Sequence, residues 1–237
     1  MLEVRDIDFK FYIENGYLKK DLFIRDKEFL NIADDLKLKL EEYLEKNLDN
    51  VRSLGGFKSG NLNFISNKHS DQIINLLNQN NFKNFFNFII QDDINNYEIM
   101  YGGNLNFPKS KKQFFHTDGK WNPRMIIINI ATTEITNNNG PMEIIEGSHK
   151  FNDAYWKFIL KNFFSRKKKV FLNMGEIMIR EHRLWHRGTL NNSKNIREMM
   201  GIMFLEKKKN KNQIINDKKN DLSIFSNIFG ISKKEKI

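Results

Sequence analysis

GEIMIREHRLWHRGTLNNSKNIREMMGIMFLE, residues 175–206, is the stretch whose reading decides the fold. Two apolar runs, IMIRE at 177–181 and REMMGIMFLE at 197–206, flank a segment rich in Asn, Ser and Gly. Runs this short, rich in Ile and Met and bounded by turn residues, read as strands rather than helices. The same texture extends back to about residue 97: YEIMY before GGN, QFFHTD at 113–118, RMIIINIATT before NNNGP, MEIIE before GS, and KVFLN. Many short strands separated by Gly, Asn and Pro predict a β sandwich or barrel, and a jelly roll fits their number. One helix is expected inside this region, over 152–164, where Tyr155, Phe158, Ile159 and Phe163 recur at helical spacing.

The residues before 97 read differently. Phe29, Ile32, Leu36, Leu40 and Leu44 predict an amphipathic helix over 27–47, with Asp26 as N-cap. Ile73, Leu76, Leu77, Phe82, Phe85, Phe86 and Ile89 form a second apolar stripe and predict a helical region over 69–92 that packs on the core. Gly16 reads as a helix C-cap followed by a short strand. SGNLNF at 59–64 echoes GGNLNF at 102–107, and both read as turn-plus-strand entries facing one another. The organisation expected is one domain over 1–237. It has a mostly helical support at 1–96, a jelly-roll core at 97–206, and a Lys/Asn-rich tail with a short helix at 207–237. The fold class is thus mainly β with flanking helices.

The chain has 237 residues, 40% hydrophobic and 13% aromatic, enough for a packed core and against disorder. It has no cysteine, so disulfides, zinc–thiolate sites and cysteine nucleophiles are excluded, and any metal must be held by His, Asp or Glu. The formal charge of +10 is scattered along the chain without a recognition motif, so neither nucleic acid nor membrane is expected as a partner. The opening MLEVRDIDFKF does not read as a secretory signal, and a cytoplasmic enzyme acting on a small molecule, as monomer or homodimer, is the expectation.

In His116-Thr117-Asp118 the first and third residues share one face of an extended chain, so an imidazole and a carboxylate project into one cavity. They are two thirds of a 2-His-1-carboxylate triad, the arrangement that holds iron(II) and leaves three positions open. Of the other histidines, His149 follows a turn, His69 lies in the helical region, and His182 faces elsewhere on an extended chain. His186 in RLWHRGT is the third ligand expected, because Arg197 follows eleven residues later on the next strand, where it points inward with Met199 and Gly201. A buried guanidinium there suits 2-oxoglutarate, whose far carboxylate would otherwise be buried unpaired. Gly119, Lys120, Trp121, Asn122 and Arg124 follow the triad directly and should rim the cavity mouth. Trp121 and Arg124 offer a ring contact and an anion contact, with Lys120 and Arg187 adding positive field; Tyr101 is placed at the cavity as well.

FFHTDGKW (114–121), NNGPMEIIEGSHK (138–150) and GEIMIREHRLWHRGTLNN (175–192) with Arg197 together resemble the phytanoyl-CoA dioxygenase family of iron/2-oxoglutarate oxygenases. The resemblance covers about residues 97–206, and NGYL at 15–18 looks like the family's opening. It implies a double-stranded β-helix with N-terminal helices, iron(II) on His116, Asp118 and His186, Arg197 for the 5-carboxylate of 2-oxoglutarate, and O2 as oxidant. The carboxylate ligand favours hydroxylation over halogenation. Asn129 stands where the family often carries Trp, so the pocket wall differs there; it is read either as a hydrogen-bonding partner of the co-substrate or as a core amide. The rival reading is a cupin-like metal-dependent binding protein or isomerase on the same barrel, without oxygen chemistry.

Overall fold

The computed structural model describes the chain except residues 56, 59, 61, 120–122, 152–156, 159, 161–164, 208–221, 229–230 and 233–237. The expected helix over 152–164 falls mostly outside the described residues. Within it, Phe158 stacks on Trp185 with ring centroids 3.7 Å apart.

Helix α1 (Asp6–Asn15) ends at Gly16, whose φ of 82° is the left-handed cap expected, and strand β1 (Tyr17–Asp21) follows. Helix α2 (Lys27–Ser53) is capped by the Asp26 side chain, which accepts from the Phe29 N–H. It outruns the predicted end by bending at Asn47, whose backbone is not helical. Strand β2 (Leu62–Ser66) leads into α3 (Asn67–Gln79) and α4 (Phe82–Ile90). The single helical region expected over 69–92 is therefore two helices. Asn81 sits between them in the left-handed region at φ 59°, a conformation Asn tolerates better than most residues.

The strands that follow are β3 (Tyr97–Asn106), β4 (Met125–Ile130), β5 (Met142–Ile144), β6 (Lys168–Val170), β7 (Glu176–Glu181), β8 (His186–Gly188), β9 (Arg197–Glu206), β10 (Leu222–Ile228) and β11 (Ile231–Ser232). Eight form one antiparallel sheet in the order β1-β7-β4-β9-β3-β2-β10-β11, and β6-β5-β8 form a second. Single bridges, among them His116 to His186 and Ile135 to Leu172, extend the pairing beyond the strands. This is the double-stranded β-helix, with its two sheets not joined into a closed hydrogen-bonded barrel. The run QFFHTD is not a strand; a bridge at His116 holds it, with the Gln113 N–H donating to the Gly188 carbonyl and the Asp118 N–H to the His182 carbonyl. The tail segment read as a short helix is strand β10, which pairs with β2 from Leu222↔Ser66 to Ser226↔Leu62. An open sheet edge offers backbone partners that a ten-residue isolated helix cannot match.

Strand alternation sorts the two faces of the large sheet. Ile126, Ile128, Ile130, Ile177, Ile179, Met200, Ile202 and Phe204 join the helical residues Phe29, Leu36, Ile73, Phe85 and Phe86 in one apolar cluster. Their alternates Ile127, Asn129, Met178, Arg180, Arg197, Met199, Gly201 and Met203 line a cavity facing the small sheet. The echoing segments do face one another, with Leu62↔Leu105, Asn63↔Asn104 and Phe64↔Gly103. A Cβ on Gly103 would lie 2.3 Å from the Phe64 ring, so glycine is required where that ring crosses the strand. No helix among the described residues is long and apolar enough to cross a membrane.

Candidate metal centre and cavity

His116 and His186 face each other across a reciprocal backbone bridge, N–H to carbonyl at 2.9 and 3.0 Å, and their rings lie 4.5 Å apart. Each Nδ1 is 2.9 Å from the carbonyl oxygen two residues back, Phe114 for His116 and Leu184 for His186. A carbonyl can only accept, so each Nδ1 carries the proton and each Nε2 keeps a free lone pair. The Asp118 N–H donates to the His182 carbonyl at 2.9 Å and fixes the third side chain. Asp118 Oδ2 is 3.5 Å from His186 Nε2. One donor atom from each of the three residues lies within 4.8 Å of the others. Ligand bonds of about 2.1 Å at right angles put donors about 3 Å apart, so a modest contraction suffices to hold an ion.

Electrostatics agree with that geometry. Burial pushes the His186 imidazole down to about 3, so it is neutral and able to bind a metal at neutral pH. Burial raises the Asp118 carboxyl, but Arg180, His186 and His116 outweigh it and hold it well below the usual carboxylate range. Arg180 Nη2 lies 2.6 Å from Asp118 Oδ2. The angles of that ion pair do not make a hydrogen bond, and Oδ2 is left buried without one.

The three side chains open into a cavity of about 220 Å³, with Arg197 also on its wall. Arg197 is 4% exposed, and burial lowers its guanidinium to about 10. Its Nη2 donates to the Gly140 carbonyl at 3.2 Å, whereas Nε and Nη1 are buried with no partner. Such a group is costly unless something anionic arrives to satisfy it.

Other expected residues are placed less simply. Asn129 lines the cavity, but its Oδ1 accepts from Arg180 Nε at 2.9 Å. Tyr101 lines it too, with its hydroxyl given to Asp71 at 2.6 Å. Arg124 is not on the cavity wall. It is tied to Glu181 at 2.5 Å and to the Ile90 carbonyl, which joins the sheet to α4, and the Tyr12 hydroxyl of α1 donates to the same Glu181 carboxylate. Arg187 is off the wall as well, because strand alternation turns it away between His186 and Gly188. It pairs with Glu143 at 2.6 Å and covers the Phe115 ring. Lys120 and Trp121 lie outside the described residues. His149, which follows the turn at Gly147, is buried against Gly16. Sequence reading missed Arg180, Gln113, Asn63 and Phe225, all on the wall. No signal in the run IMIRE marked Arg180 for the cavity, because every residue of β7 is buried and alternation alone does not say which face meets the cavity.

The fold and the clustered donors define a class: a double-stranded β-helix with three donors able to hold one metal ion on the wall of a small cavity that also carries a buried cation. The phytanoyl-CoA dioxygenase (PhyH) family model matches residues 15–199, and the chain belongs to that family. It is a non-haem iron, 2-oxoglutarate-dependent oxygenase, and its cofactors are iron(II), 2-oxoglutarate and O2. Solved structures share its fold. The non-haem alpha-ketoglutarate-dependent carbocyclase SnoK from nogalamycin biosynthesis is 15% identical, at TM-score 0.64, over 86% of this chain and 85% of that one. EctD from S. alaskensis with bound iron is 13% identical, at TM-score 0.58, over 85% and 76%. EvdO2 from Micromonospora carbonacea var. aurantiaca complexed with 2-oxoglutarate is 13% identical, at TM-score 0.58, over 87% and 92%. No curated protein sequence matches the chain.

Proposed function

We propose that His116, Asp118 and His186 ligate the iron(II), that Arg197 pairs with the far carboxylate of 2-oxoglutarate, and that the enzyme hydroxylates a C–H bond of a small molecule. The observation that carries this reading is the convergence of three donor atoms on one cavity that also holds the unsatisfied Arg197 guanidinium. The bound metal and co-substrate supply the oxidative chemistry, with decarboxylation of 2-oxoglutarate to succinate as its driving half.

The chain's own residues do the rest. The backbone carbonyls of Phe114 and Leu184 hold both imidazoles in the ligating tautomer. Asp118 brings the negative charge that favours a dication over the neutral pair alone. Ile127, Ile135, Met142, Val170, Leu172 and Met178 make the wall apolar and keep bulk water from the reacting centre. The apolar cluster running from the N-terminal helices through the large sheet supports reading the chain as one domain.

Anaerobic addition of iron(II) and 2-oxoglutarate should give the visible metal-to-ligand charge-transfer band. His116→Ala should abolish it. A wild-type protein that gives no band, or a variant whose band is unchanged, overturns the ligand assignment. With a true substrate, product heavier by one oxygen should form in step with succinate; succinate formed with an unoxygenated product rules out hydroxylation.

A further inference from the structure

Arg180 is the charged side chain at the metal site that the oxygenase chemistry just described leaves without a task. It lies on β7, is 4% exposed, and lines the cavity. Its Nη2 is 2.6 Å from Asp118 Oδ2, its Nε donates to Asn129 Oδ1 at 2.9 Å, and its Nη1 is buried with no partner. Two of its three nitrogens are thus anchored, and the third is held rigidly beside the metal site with hydrogens to give.

Position separates this group from Arg197. Arg180 lies opposite Ile127 of β4, and Met200 lies opposite Ile130. Arg197 is three further steps along β9, so the two backbones are about 20 Å apart along the sheet at about 3.4 Å per residue. The two long side chains enter the cavity from opposite ends, with the metal donors beside Arg180.

Charge balance gives the second, independent observation. Among the lining residues the charged ones are Asp118, Arg180 and Arg197. A dication and a dianionic co-substrate cancel. Asp118 cancels one guanidinium, and one positive charge is left in a buried site. An uncompensated buried charge is unfavourable, and a bound anion removes the penalty.

We propose that Arg180 Nη1 is the recognition group for a carboxylate on the primary substrate, so that the enzyme takes a small carboxylic acid and presents a C–H bond near that carboxylate to the metal. This rests on the oxygenase reading above and adds the substrate class to it. Asn129, through its bond to Nε, is a positioning residue for the guanidinium.

The test uses enzyme loaded anaerobically with iron(II) and saturating 2-oxoglutarate. The probes are acetate, propionate and benzoate, each against its amide, followed by their perturbation of the charge-transfer band and by the melting temperature. Wild type should bind carboxylates about tenfold or more tightly than the matching amides. Arg180→Gln should erase that preference while its affinity for 2-oxoglutarate stays within about threefold of wild type. Should the Gln variant not fold, Arg180→Lys keeps the charge beside Asp118 but loses the fork, and it should lose most of the preference with its band intact. No preference in wild type, or a preference that survives in the variants, overturns the proposal. So does a tenfold or greater loss of 2-oxoglutarate affinity in the variants, which would assign Nη1 to the co-substrate's own 1-carboxylate. A wild-type protein with no charge-transfer band is a different result, and it overturns the metal assignment instead.

Discussion

Arg197 is a residue whose stability and function pull in opposite directions. Its charge is buried, and two of its nitrogens have no partner. Replacing it with Gln or Met removes an uncompensated charge from the apoprotein, so the ligand-free fold should gain about 1–3 kcal/mol. The same change should weaken 2-oxoglutarate by about a hundredfold or more, since the far carboxylate loses its counter-charge. Denaturant melts of the apoprotein beside anaerobic titrations would show the two effects in opposite directions. A variant less stable than wild type, with unaltered co-substrate affinity, would make Arg197 an ordinary structural residue. Arg124 and Arg187 show why residue type alone misleads: both are arginines near the metal donors in sequence, yet each is spent on a neighbouring carboxylate, Glu181 and Glu143.

At the scale of elements, the C-terminal strand decides more than its place in the chain suggests. β10 covers the edge of β2 and carries Phe225 to the cavity wall. A chain ending at residue 207 would leave β2 with an open row of N–H and C=O groups. It should melt lower by about 5 °C or more and self-associate, as followed by calorimetry and light scattering. Unchanged melting and a monodisperse species would show that β10 is an ornament on the sheet. At the other end of the molecule, Asp26→Ala removes the α2 cap and should cost about 1 kcal/mol in a denaturant melt, leaving iron binding alone.

Across the whole molecule, acid is the condition that should undo the fold. Burial pushes the His149 imidazole below its ordinary 6.5, so between that folded value and 6.5 the unfolded chain binds more protons. Stability from this group is therefore present above 6.5 and lost as pH falls. Burial raises the Glu181 carboxyl, but Arg124 outweighs it and sets it below 4.5; its contribution is likewise present above 4.5 and lost at lower pH. Glu143 behaves as Glu181 does, through Arg187 and Lys112. Glu198, raised by burial, opposes them above 4.5. The expectation is a stability plateau near neutrality that declines from about pH 6.5 and steepens below about 4.5, each protonated group contributing up to about 1.4 kcal/mol per pH unit. His149→Gln should make the upper part of that decline shallower, and what remains belongs to His186, which burial also holds below 6.5. A melting temperature flat from pH 7 to 5, in wild type as in the variant, would rule out the histidine contribution.

The sequence alone determined what rests on local chemistry. Strand periodicity and turn residues placed the β core, Gly16 and Asp26 marked helix ends, and the i, i+2 spacing put His116 and Asp118 on one face. The matched echo in SGNLNF and GGNLNF even foretold a strand pair, because like patterns fit one register. Tertiary structure decided which charges besides Asp118 and Arg197 face the cavity. Arg180 and Arg187 are both arginines in strands, and only the sheet's packing turns one inward and the other out. It also decided that the tail becomes a strand, since an edge for it to pair with exists only once β2 is in place. The physical reason is common to both cases: a side chain's partner, or a strand's neighbour, lies far away in sequence, and pairing energy appears only after the sheet has brought the two together.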